Sequence, residues 1–174
     1  MKFQPKIDQF SLTALPLKVY TDNPESNVNA ATAFFYKKKE DIYLITNWHV
    51  LTGLRWDNHH PPSNKFSKPT EIGVKFFNKK DSRPNKFNDD IPEFLEEQKF
   101  PLYSEDLKSL SLEHRQYGSV ADIAVLKLSL PKEGNVRPIN DTISSFNVST
   151  MHTAVSFGAS YFYMIIFSIR KHFV

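Results

Sequence analysis

The 174-residue sequence contains no cysteine. That absence excludes a disulfide framework, a thiol nucleophile and any zinc or iron-sulfur site built on thiolates. Nothing in the chain calls for an oxidising compartment. Glycine is scarce, at five residues, which leaves no glycine-rich loop of the kind that cradles nucleotide phosphates. Net charge is small as well: 22 Lys and Arg against 19 Asp and Glu leave +3, so no polyanionic partner is implied and nucleic acid is not an expected ligand. Residues Met1 to Phe10 carry charges and lack the apolar stretch of a secretory signal, so the expected location is cytoplasmic.

What remains is 40% hydrophobic and 24% charged, the balance of a soluble globular chain with material for one core. Fifteen phenylalanines and eleven prolines beside so few glycines favour short strands around an aromatic-rich core, because Phe suits strands and Pro is kept out of helix interiors and central strands. The fold class expected is all-β.

The chain punctuates itself accordingly. Leu12 to Tyr20 contains Pro16 and reads as an edge strand, followed by a turn at Asp22, Asn23 and Pro24. Ala30 to Tyr36 and Asp41 to Thr46 flank Lys37, Lys38, Lys39 and Glu40, which is a hairpin with a solvated turn. The next residues, Asn47 to Gly53 (NWHVLTG), fit one helical turn closed by glycine. A polar, proline-bearing loop covers Leu54 to Thr70, and Glu71 to Phe77 returns to strand, with Ile72, Val74 and Phe76 on one parity. Residues 78–119 lack strand periodicity, an insertion of a length that is usually functional or mobile, and short helices are expected at Pro92–Gln98 and Glu105–Leu110. Ser119 to Leu128 is the best strand, apolar on both parities from Ile123 to Leu126 and so buried on both faces, and Pro131 ends it.

Among six histidines, His49 stands out because it directly follows a well-formed strand on a short helical turn. Asp122 immediately precedes an apolar run, where a carboxylate has no packing purpose and needs a partner. A histidine acting as general base needs a carboxylate on its other ring nitrogen, to fix the tautomer and stabilise the imidazolium. The order His, then Asp, with a serine to follow, is that of the chymotrypsin class. His59 and His60, near Asp57, are adjacent and lack the spacing of a metal-binding pair, so they read as a surface loop. Trp48 and Trp56 read as packing at a barrel end, and no cofactor is expected.

The segments ATAFFYKKKEDIYLITNWHVLTG and ADIAVLKL together resemble the trypsin-like, chymotrypsin-fold serine peptidases, in the cysteine-free form found in bacteria. The resemblance spans residues 10–130. It implies antiparallel β-barrels with a cleft between them, His49 as general base, Asp122 as its orienting acid, and hydrolysis of a peptide or protein substrate through an acyl-enzyme. Ala31 and Ala33 stand where relatives carry glycines. The Gly-X-Ser-Gly setting of the nucleophile, whose backbone N–H groups build the oxyanion hole, does not occur in the chain. Ser144, Ser145, Ser149, Ser156, Ser160 and Ser168 all lack flanking glycines of that kind; Gly158-Ala159-Ser160 is the nearest approach.

The expected organisation is therefore a complete first barrel over 10–130, with 131–174 as a linker and an incomplete or aberrant C-terminal segment. From Ser149 onward there are six aromatics, two of three methionines and no acidic residue. Three readings stay open for this tail: a pair of buried strands, sequence from a shifted reading frame, or a membrane anchor. Ala154 to Ile169 is sixteen residues with three serines, short of the roughly 20 apolar residues that span a bilayer. The functional expectation is a serine endopeptidase family member truncated or frameshifted before its nucleophile and inactive for that reason. The alternative is a non-catalytic binding module, or an unstable fragment that self-associates through an exposed inter-barrel face.

Overall fold

The computed structural model describes residues 13–23, 29–55, 57–62, 67–79 and 93–144, with the side chains of 142–144 excepted. The expectations for the 145–174 tail, for Trp56 and for Ser145, Ser149, Ser156, Ser160 and Ser168 lie outside the described residues.

The chain is mostly β. Seven strands form one curled antiparallel sheet, a half-barrel. They are β1 (Ala14–Thr21), β2 (Asn29–Lys38), β3 (Asp41–Thr46), β4 (Pro69–Val74), β6 (Gln98–Pro101), β7 (Ser111–Glu113) and β8 (Ala124–Leu128), while β5 (Phe77–Asn78) pairs separately with β9 (Gly134–Asn135). The sheet order is β6-β4-β1-β2-β3-β8-β7. Alternation builds it: in β1, Leu15, Leu17 and Val19 are buried while Ala14, Pro16 and Lys18 face out, as a period of two requires. Ile72, Val74 and Phe76 are fully buried on one parity as expected. Phe35 stacks on Phe76 at 5.6 Å, and Phe100 meets Phe76 edge-on at 6.0 Å, so the aromatics fill the curl.

The outer face of β2, β3 and β8 carries a second, smaller core. Tyr36, Ile45 and Val125 are covered there by Ile139 at the start of helix α2 (Ile139–Ser144). Asn140 fastens this helix by taking the Lys37 N–H at 3.0 Å and donating to the Lys37 carbonyl at 2.8 Å. With Ala124, Leu126 and Leu128 in the inner core and Val125 in the outer, β8 is buried on both faces, as its sequence implied.

Several expectations change. β1 is an interior strand, between β2 and β4. Pro16 is accommodated because the β4 pairing begins only at Leu17, so no β4 residue is registered against it. The helix expected at Pro92–Gln98 is absent over the described residues 93–98: Leu95 donates to the Phe76 carbonyl at 2.8 Å and Gln98 opens β6. The helix expected at Glu105–Leu110 is a hairpin turn, in which Ser104 and Lys108 bond and Leu107 takes a left-handed φ of 58°. The strand expected from Ser119 starts at Ala124, after a 3-10 turn over Ser119–Ala121. Finally, where a complete barrel is expected over 10–130, the described residues form a half-barrel. No ladder joins the outer strands β6 and β7; they touch at one end, through the Tyr103–Ser109 bridge and the Leu110 N–H on the Leu102 carbonyl at 2.9 Å.

Candidate active site

Strand β3 ends at Thr46, whose hydroxyl donates to the Thr32 carbonyl of β2 at 2.9 Å. Helix α1 (Trp48–Thr52) starts two residues on. Its apolar side, Trp48 and Leu51, is buried in the main core, and this leaves His49 on the outer side. Gly53 closes the turn with φ of 71°, donating its N–H to the His49 carbonyl at 2.8 Å. Only a residue free of a Cβ takes that conformation without strain.

The N-terminus of α1 is capped from across the fold. Asn47 makes no side-chain capping bond of its own. Asp122 supplies the acceptor: its Oδ1 takes the His49 backbone N–H at 3.1 Å, the charge a helix N-terminus favours. Asn47 in turn donates its Nδ2 to Asp122 Oδ2 at 3.0 Å and to the Asp122 carbonyl at 3.3 Å. Asp122 follows the 3-10 turn in a left-handed conformation, φ 47° and ψ 38°, which Asp tolerates better than most residues.

The two side chains meet as the sequence suggested. His49 Nδ1 lies 2.9 Å from both carboxylate oxygens of Asp122. An ionised carboxylate only accepts, so the neutral imidazole carries its proton on Nδ1 and presents the Nε2 lone pair away from Asp122. The side chain of His49 is 48% exposed and that of Asp122 24%, so the pair is open to solvent. A carboxylate on one ring nitrogen and a free lone pair on the other is the arrangement that general-base chemistry requires. A nucleophile beside it is not among the described side chains.

Ala33, where relatives of the resembled family carry glycine, is buried against the core opposite Leu15. Its methyl belongs to the main core. Trp48 is buried in the main core and donates Nε1–H to Glu113 Oε1 of β7 at 2.7 Å. Among the described residues no group of three His, Asp or Glu is placed to hold a metal, and no helix is long and apolar enough to cross a membrane. A cavity of about 230 Å³ lies beside α1, lined by Leu51, Leu54, Leu102 and Tyr103 with Lys68 and Glu113; neither His49 nor Asp122 lines it.

His59 was legible only as part of a surface loop, yet it reaches this neighbourhood. Its Nε2 is hydrogen-bonded to the hydroxyl of Ser119, and its ring lies 5.4 Å from that of Trp48. His59 is an exposed residue with a left-handed φ of 59°, and no sequence signal other than the flanking Asn58 marks that conformation.

No protein-family model matches the chain, and no curated protein or solved structure matches it.

Proposed function

We propose that the chain carries the base and acid of a serine peptidase of the chymotrypsin class: His49 is the general base, and Asp122 holds its tautomer and stabilises the imidazolium. The observation that carries the reading is the contact of Nδ1, at 2.9 Å, with both oxygens of a carboxylate that also caps the helical turn on which the histidine stands. A single carboxylate thus fixes both the backbone and the ring of His49, which is the pre-organisation proton transfer needs. The curled antiparallel sheet is compatible with the first barrel of that class.

The sequence offers no Gly-X-Ser-Gly setting. Loss of the nucleophile from such a triad removes several orders of magnitude in rate, and loss of the oxyanion donors removes more. The reaction of the family, acylation of a serine by a peptide or protein substrate and hydrolysis of the ester, is therefore not expected of this chain. A fluorophosphonate probe applied to the folded protein tests this. No labelling is the expected result; labelling that disappears in His49→Ala would establish a working nucleophile. The family reading itself is tested by the reading frames of the gene beyond codon 140. A frame encoding further strands and a Gly-X-Ser-Gly motif supports it, and the absence of one turns the reading to the second possibility.

That second possibility is a non-catalytic binding module. Leu110, Leu112, Tyr117 and Val120 are exposed in the segment leading to Asp122, and exposed apolar side chains are what such a module would offer a partner.

A further inference from the structure

We propose that His59 is a positioning residue that clamps together the two elements bearing His49 and Asp122. The inference rests on the dyad reading above and extends it to a third side chain. The dyad is formed by elements far apart in sequence: His49 on α1, and Asp122 at the end of the 3-10 turn Ser119–Ala121. One imidazole touches both. The ring of His59 packs at 5.4 Å against Trp48, the residue before His49, with the planes tilted by 40°. Its Nε2 is bonded to the hydroxyl of Ser119, the first residue of the turn that ends at Asp122.

Both anchoring points are firm. Trp48 is buried, with its indole N–H on Glu113 at 2.7 Å, and Ser119 is only 7% exposed. The loop that delivers His59 is closed on itself. Its N–H is donated to the Arg55 carbonyl at 2.9 Å, the Arg55 N–H goes to the His60 carbonyl at 3.0 Å, and the Arg55 guanidinium grips Asp57 at 3.1 and 2.9 Å. A non-glycine residue in the left-handed region costs free energy that the surrounding structure must supply, and here its effect is to aim the ring between α1 and the 3-10 turn. A buried hydroxyl without its partner is unfavourable, so the bond to His59 also selects the rotamer of Ser119 and with it the start of the turn. Displacing that turn moves the Asp122 carboxylate from His49 Nδ1, since Asp122 N–H is bonded back to the Ser119 carbonyl at 2.8 Å.

The test reads the tautomer of His49 by nitrogen-15 NMR in the folded chain at a pH where the imidazole is neutral. A carboxylate on Nδ1 holds the Nδ1–H form, whereas an imidazole released from it reverts to the Nε2–H form. The variants are Asp122→Asn, His59→Asn, Ser119→Ala and Ser119→Thr. Asparagine tolerates the left-handed backbone at 59 but is too short for the contact with Ser119; threonine at 119 keeps the hydroxyl. Expected are the Nδ1–H form in the wild type and in Ser119→Thr, and its loss in the other three. If Asp122→Asn shifts the tautomer while His59→Asn and Ser119→Ala keep the Nδ1–H form, the clamp is overturned and the dyad stands. If Asp122→Asn leaves the tautomer unchanged, the dyad fails and the clamp fails with it. Should Ser119→Ala not fold, His59→Asn and Ser119→Thr still decide the matter.

Discussion

Glu97 accepts hydrogen bonds from the Lys18 ammonium at 2.8 Å and from the Tyr20 hydroxyl, and its carboxylate lies over Gly73, where a Cβ would stand only 2.6 Å from Oε1. The Lys18 bond, followed by that of Tyr20, holds the Glu97 carboxyl below its ordinary range, and the same contacts raise Lys18 and Tyr20. A lowered acid contributes stability that is complete above its unfolded pKa, about 4.3 for glutamate, and that is lost as pH falls through the folded value. The raised Lys18 and Tyr20 contribute below their unfolded values and lose their contribution as pH rises through the folded ones. Glu97→Gln is expected to cost about 1–2 kcal/mol near neutrality, a figure already discounted for the exposure of Lys18. The difference from wild type in thermal melts shrinks as the acid limit is approached. Gly73→Ala pushes the carboxylate off its partners and reproduces the loss; a melting profile in which either variant keeps the wild-type acid slope contradicts this account. Glu97 was not legible as a site because its partners lie on β1, nearly eighty residues away in sequence, and a run of Pro, Glu, Phe, Leu, Glu reads locally as helix. His49 and Asp122 were legible because each interrupts a strong apolar pattern at its boundary, where a polar side chain needs a reason.

Helix α1 is a single turn, far too short to form by propensity. It exists because its ends are satisfied from outside and its apolar side is buried: Asp122 at the N-terminus, Gly53 at the C-terminus, Trp48 and Leu51 beneath. Gly53→Ala places a Cβ at φ of 71° and is expected to cost about 1–2 kcal/mol. It also raises hydrogen exchange of the residue-53 amide, because the bond that this amide donates to the His49 carbonyl weakens; unchanged exchange protection sinks the claim. This element was readable from NWHVLTG, where the glycine stop is local chemistry. The helices read at 92–98 and 105–110 fail for the complementary reason. Their backbone groups are taken by tertiary partners, Leu95 by Phe76 and Leu110 by Leu102, and such pairings override a weak propensity. The 3-10 turn before β8 was missed because Val120 and Ala121 read as the start of the apolar run that follows, whereas the positive-φ Gly118 and Asp122 on either side keep the strand from starting there.

At the scale of the molecule, apolar surface is covered unevenly. The sheet interior is closed by Phe35, Phe76 and their neighbours, and the outer face of β2, β3 and β8 by Ile139. The stretch from β7 to the 3-10 turn is left open: Leu112 is 48% exposed, Tyr117 57% and Val120 66%. Side chains of this size at such exposure return little burial energy to the fold, since roughly 25 cal/mol per Å² is gained only by area removed from water. They precede Asp122 by ten, five and two residues, on the segment that leads into it, so a partner seated on Val120 would border the dyad. The expected behaviour is self-association that strengthens with protein concentration in sedimentation velocity. Val120→Asp together with Leu112→Lys is expected to weaken it while changing stability by no more than about 0.5 kcal/mol, as surface substitutions do. A chain that stays monomeric at every concentration, and silent to a dye for exposed apolar surface, would remove the argument that these side chains serve contact. Association that persists in the double variant would place the contact elsewhere on the sheet.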